Sequence, residues 1–139
     1  MSSVTVWFVR CGLIYFLAAV LIGIHMTTVG AVMPYVSIHA HFNLLGFMSM
    51  MVYGVGYHIL PRFSGRPLWS EPLSYWHLIL SNVGLVGMAA GWIIKSSGGT
   101  TIVLTAFAVV ESISIVFFAL NMLKTIKAAP APPKPTPAK

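Results

Sequence analysis

The sequence predicts an all-α, polytopic membrane protein: an antiparallel four-helix transmembrane bundle followed by a disordered C-terminal tail. Three observations carry that prediction. The 139 residues are 58% hydrophobic and only 7% charged, too few charges to coat a water-soluble domain of this size. The apolar residues gather into four runs, each near the roughly 20 residues that an α-helix needs to cross about 30 Å of hydrocarbon. The connections between the runs are short, and short loops make consecutive helices antiparallel neighbours.

The first run extends from about Val6 to Val29. Its apolar core is too long for a secretory signal, and no small-residue cleavage site follows a short apolar region. The second runs from about Ile38 to Leu60 and is expected to stop at Pro61, which lacks an N–H and cannot continue a helix. The third spans about Leu73 to Ile94 and the fourth about Thr100 to Leu123. Together they form one domain, residues 1–127, without internal repeats. The tail from Ala128 to Lys139 is built almost wholly of Ala, Pro and Lys and cannot bury a core.

The net charge of +6 is not a nucleic-acid signal, because the basic residues lie between and after the apolar runs, where they meet membrane lipid. Arg10, Arg62, Arg66, Lys124, Lys127, Lys134 and Lys139 fall on one side of the bundle and only Lys95 on the other. By the positive-inside rule both termini are expected to be cytoplasmic, in a bacterial-type inner membrane. Trp7, Trp69, Trp76 and Trp92 lie near run ends, as an aromatic belt requires. The one cysteine, Cys11, allows neither an internal disulfide nor a CxxCH haem attachment site.

Five histidines remain to be explained. Ionisable groups within membrane helices are costly and usually functional, and neutral imidazole is the commonest protein ligand for transition metals and haem iron. Topology sorts them into two layers. His25, His39 and His41 lie near the outer helix ends, His58 and His77 near the inner ends. His41 and His58 are roughly 25 Å apart along one helix axis, so a single haem within the chain cannot take both. At about 100° per residue, His39 and His41 point to different sides of the second helix. The His39 face continues through Asn43, Gly46, Met50, Tyr53 and Tyr57 and reads as a packing face. The His41 face continues through Leu45, Met48, Val52, Val55 and Ile59 and is aliphatic. Periodicity alone favours His39 as the inward histidine.

Two segments carry a family resemblance: His41-Phe42-Asn43-Leu44-Leu45-Gly46-Phe47, within the longer His39-Ala40-His41 start, and Tyr57-His58-Ile59-Leu60-Pro61-Arg62 continuing to Leu68. They resemble the second helix of subunit I of the haem-copper oxidases, in particular the cbb3-type oxidase and nitric oxide reductase branches, and short four-helix proteins grouped with them. The resemblance implies that His41 is an axial ligand of a low-spin haem b. His25, matched in depth on the adjacent helix, or a residue of a partner chain would supply the other ligand. The helices that carry the copper and high-spin haem ligands of that family lie beyond what the resemblance covers, so reduction of oxygen or nitric oxide by this chain alone is not expected.

The expected function is thus haem b binding in electron transfer, as a small membrane cytochrome or a respiratory-complex subunit working with a quinol or a cytochrome. One or two haems are open. His58 and His77 are candidates for an inner site, with Arg62 and Arg66 as forked donors to haem propionates; the plainer expectation for both histidines is solvation at the interface beside those arginines. His39 with a neighbour, or the methionines Met48, Met50 and Met51, would be the copper alternative. The rival functions are a cofactor-free accessory or assembly subunit and a haem-based sensor of oxygen or nitric oxide. Glu111, midway along the fourth run, is a candidate proton relay, or a buried acid hydrogen-bonded to Ser112, Ser114 or the second helix. Gly46, Gly54, Gly56, Gly84, Gly87 and Gly91 allow close helix approach and permit a homodimer.

Overall fold

The computed structural model describes residues 2–126. It contains four long helices: α1 (Ser3–Val29), α2 (Tyr35–Phe63), α3 (Glu71–Ser96) and α4 (Ile102–Thr125). All four are long and apolar enough to cross a membrane, and no strand occurs among the described residues. The chain is a multi-pass, all-α membrane protein. The predicted runs coincide with these helices to within one turn at each end. The expectation for the tail from Ala128 to Lys139 lies outside the described residues.

Local signals explain the helix ends. Ser2 caps α1, its side chain accepting from the Thr5 N–H at 3.3 Å. Gly30 ends α1 at φ 85°, a backbone region that favours glycine. Ser70 caps α3 by accepting from the Leu73 N–H, and Pro72 sits in the first turn, where its missing N–H costs nothing. Contrary to expectation, α2 does not stop at Pro61 but runs on to Phe63. The proline lies in the last turn, and the chain beyond it is closed by Ser64 N–H to the Leu60 carbonyl (3.0 Å) and Arg66 N–H to the Pro61 carbonyl (3.1 Å). One lost helical bond at an end therefore does not break the helix.

Within α2, residues Phe42–Ser49 are π-helical, and the Ser49 hydroxyl donates to the Leu44 carbonyl at 2.9 Å. A widened turn of this kind re-phases the residues after it relative to His39 and His41. Gly46, inside this segment, lies so close to α1 that a Cβ there would come within 2.6 Å of the Tyr15 side chain.

The helices pair as two hairpins, α1 with α2 and α3 with α4, and α2 and α3 pack together across the short diagonal. Among the described residues α1 and α4 do not pack on each other. One core cluster holds Phe8, Met50, Tyr53, Tyr57, Leu85 and Met122, and a second holds Ile38, Met88, Ala89 and Trp92. The outward faces of all four helices carry exposed aliphatic residues, as a lipid-facing surface should. Trp7, Trp69 and Trp76 are exposed in the manner of a belt, but Trp92 is only 8% exposed. It belongs to the core, because α2 covers it with Ile38 and His41.

Candidate functional site

At the end of the bundle nearest Lys95, the two neighbouring histidines of α2 do different work. His39 reaches α1, where its Nδ1–H donates to the Ala19 carbonyl at 2.9 Å. Its Nε2 accepts from the Asn43 side-chain amide at 3.3 Å, and the same amide donates to the His39 carbonyl at 2.9 Å. Both imidazole nitrogens are thus consumed, and His39 fastens α2 to α1. The face predicted to be inward is inward: Gly46, Met50, Tyr53 and Tyr57 are buried.

His41 turns instead toward α3, its ring 4.3 Å from that of Trp92. Its Nδ1–H donates to the Ser37 carbonyl one turn earlier, at 2.9 Å. That bond fixes the tautomer and leaves a lone pair on Nε2, the arrangement that metal-bound histidines commonly show. The Nε2 makes no protein hydrogen bond and is not enclosed. Farther along α2, beyond the re-phased turn, Met48, Val52 and Val55 are exposed. His25 is exposed, and its ring packs edge-on against Tyr35 at 4.8 Å.

At the opposite end, an open groove of about 440 Å³ lies between the start of α1, the end of α2 and the start of α3. His58, Arg62, Arg66, Glu71 and Tyr75 line it, with Tyr57 in its wall. Glu71 is the one acidic side chain among these lining residues, against Arg62 and Arg66, so the groove carries a net positive charge. The loop beside the groove is clamped from α4. Asn121 Oδ1 accepts from the Ser70 N–H (3.1 Å), its Nδ2 donates to the Ser70 carbonyl (2.8 Å), and Thr125 Oγ1 accepts from the Trp69 N–H (3.0 Å).

His77 is not solvated at the interface, as expected, but fully enclosed at 0% exposure. Phe8, Tyr53, Tyr57 and Phe118 surround its ring with centroids 4.4 to 5.7 Å away, so four aromatic rings from three helices take the place of water. Its Nδ1 shares a 2.9 Å hydrogen bond with the Tyr57 hydroxyl, while Nε2 has no partner. His58 lies in the groove wall and His77 does not, so the two do not form one site.

Further along the α3–α4 seam, Ser81 and Ser114 hydrogen-bond to each other at 2.9 Å, both fully buried. Glu111 follows, 3% exposed, with Oε2 buried and unpartnered. The serines expected beside it are engaged elsewhere: Ser114 with Ser81, and Ser112 with the Ala108 carbonyl on the exposed side. Glu111 lies instead on Gly84, where a Cβ would come within 2.9 Å of the Glu111 Cα. Close by in sequence, Asn82 accepts from the Tyr15 hydroxyl at 3.1 Å, tying α3 to α1.

A haem held by two imidazoles needs two Nε2 atoms converging on one iron. His41 fits one half of that requirement. His77 does not, because the rings packed on every side leave no flat opening, and His39 has no free nitrogen. His25 packs on Tyr35. Among the described residues no group of three or more His, Cys, Asp or Glu side chains converges as a metal site. Met48 is exposed while Met50 is fully buried, so the methionines do not converge either. His41 thus keeps an imidazole nitrogen with neither a hydrogen-bond partner nor an enclosing wall. No family model, curated protein or solved structure matches the chain.

Proposed function

We propose that this chain is a haem b-binding electron-transfer subunit of a membrane assembly, in which His41 supplies one axial ligand and a second copy or a partner subunit supplies the other. The observation that supports this reading is the His41 imidazole, held by Ser37 with its Nε2 lone pair unpartnered and unenclosed beside Trp92. When bound, the haem supplies the redox chemistry. The protein would orient the ligand against Trp92 and keep the surroundings apolar. In the same reading the arginine-bearing end faces the cytoplasm of a bacterial-type inner membrane, and a quinol or a cytochrome is the redox partner.

A cofactor-free accessory subunit is the second reading. Its support is His39, which sits in the same motif and is wholly spent on joining α1 to α2.

An absorbance spectrum of protein purified after expression with ample haem separates the readings. Sharp reduced α and β bands, unmoved by carbon monoxide and lost in His41→Ala but retained in His39→Ala, are the expected result. A carbon-monoxide shift indicates an open coordination position and a gas sensor. Absence of a Soret band rejects haem binding.

A further inference from the structure

The groove at the arginine end has fixed walls and unspent charges. Three separate contacts hold the walls. The end of α2 is closed by Gly65 N–H to the Arg62 carbonyl and Arg66 N–H to the Pro61 carbonyl, both at 3.1 Å. Gly65 takes φ 61° there, so the chain turns back and sets Arg66 beside the last turn of α2, which carries Arg62. The hydroxyls of Ser3 and Tyr75 hydrogen-bond to each other and join α1 to α3 at the groove. From α4, Asn121 and Thr125 hold the backbone of Trp69 and Ser70. Within these walls Arg62, Arg66 and Glu71 are exposed. None of the three has an ion pair or a side-chain hydrogen bond with another described residue. Charges left unpaired on a fixed support are the raw material of a binding site.

An apolar trough adjoins the groove. Val55, Ile59 and Arg62 follow at spacings of four and three in a regular α-helical stretch, so they share one side of α2. Val55 and Ile59 also line an open trough of about 390 Å³, together with Val52 and Gly56. It runs from the arginine end toward the middle of the span. Exposed Trp69 and Trp76 mark the depth of the groove as that of the lipid headgroups.

From this juxtaposition we propose that the groove is a binding site for the headgroup of an anionic phospholipid. The phosphate lies between Arg62 and Arg66, whose planar forks match its oxygens. Glu71 accepts from hydroxyls of the headgroup, and an acyl chain lies along Val55 and Ile59. Basic pockets at the ends of membrane helices hold headgroups in this manner. The volume of about 440 Å³ falls within the roughly 300–1,000 Å³ of small-molecule sites. Charge selects the lipid class. Two guanidinium groups against one carboxylate leave one positive charge, which a phosphodiester headgroup with a single negative charge neutralises and a zwitterionic headgroup does not. Inorganic phosphate offers the same oxygens but nothing to fill the trough. The site is independent of haem binding, since His41 lies at the other end of the bundle.

Native mass spectrometry of the full chain, released from neutral detergent with added phosphatidylglycerol or phosphatidylcholine of the same acyl chains, tests the proposal. One phosphatidylglycerol is expected to bind roughly tenfold more tightly than phosphatidylcholine, since each arginine near the surface contributes about fivefold. An Arg62→Gln, Arg66→Gln double variant is expected to erase that preference. Both side chains are exposed, so packing does not depend on them. Should the double variant fail to assemble, Arg66→Gln alone, beyond the end of α2, is expected to weaken phosphatidylglycerol binding about fivefold. A Lys95→Gln, Lys124→Gln variant removes the same charge away from the groove and is expected to keep the preference. Millimolar inorganic phosphate is expected not to displace the lipid. Equal binding of the two lipids overturns the proposal, as does a preference that survives in the arginine variants. Equal loss in the lysine variant overturns it too, because the attraction is then diffuse. Displacement by inorganic phosphate overturns the lipid assignment and makes the groove a site for a soluble anion.

Discussion

Tyr57 and His77 are joined by a 2.9 Å hydrogen bond in the interior of the bundle, one from the end of α2 and the other from the start of α3. The bond is the sole hydrogen bond of the His77 ring, and His77 is completely enclosed. Removing one partner of such a pair costs more than the pair itself contributes, because the survivor stays desolvated. Tyr57→Phe is therefore expected to destabilise the protein by about 1–3 kcal/mol. His77→Phe should cost less, since the Tyr57 hydroxyl borders the groove and can be wetted there. Unfolding midpoints in mixed micelles measure both, and a larger loss for His77→Phe rejects this account.

The clamp of Asn121 on Ser70 makes a separate prediction. Asn121 is fully buried and satisfies both the N–H and the carbonyl of Ser70. Asn121→Leu leaves both backbone groups without partners and is expected to cost about 2–3 kcal/mol. It should also speed amide exchange at Ser70. Ser70→Ala removes only the α3 cap, worth about 1 kcal/mol, because the clamp grips backbone and not side chain. If the two variants prove equally stable by the same unfolding assay, the clamp is not what holds the loop.

Most of the fold was legible in the sequence, because membrane helices announce themselves through length and apolarity rather than through subtle periodicity. Burial of the His39 face was legible too, from the small and polar residues at Asn43, Gly46, Tyr53 and Tyr57. The continuation of α2 past Pro61 was not, since a proline in the last turn and a proline that ends a helix look alike in sequence. The enclosure of His77 was hidden because depth along a helix says nothing about rotation around it, and His77 is shut in by Phe8 and Phe118 from helices far away in sequence. A signal was nevertheless present. His77, Ser81, Gly84, Met88 and Gly91 share one face of α3, and Glu111, Ser114, Phe118, Asn121 and Thr125 share one face of α4. Small and polar stripes of that kind mark a helix–helix seam.

That seam predicts the effect of filling it. Gly84 has no room for a side chain, since a Cβ would lie 2.9 Å from the Glu111 Cα, which is backbone and cannot rotate away. Gly84→Ala must push α4 off α3, and overpacking of this kind costs about 1–3 kcal/mol. Shortening Glu111 in a Gly84→Ala, Glu111→Ala double variant is not expected to restore stability, because the clash with the α4 backbone persists. Full recovery in the double variant shows that only the Glu111 side chain demands glycine.

The two adjacent histidines of α2 supply the last prediction. His39 donates across helices to Ala19 and accepts from Asn43, so His39→Ala cuts an interhelical bond, while the Ala19 carbonyl keeps its helical partner within α1. Hydrogen bonds between membrane helices are worth about 0.6–2 kcal/mol, and a loss of that size is expected. The His41 bond to Ser37 stays within one helix, and its Nε2 is already unpartnered. His41→Ala should therefore be nearly neutral for stability apart from its lost packing on Trp92. Thermal unfolding of the haem-free chain in a single detergent measures both. If His41→Ala is the more damaging of the two, His41 is a packing residue and the case for it as a poised ligand falls.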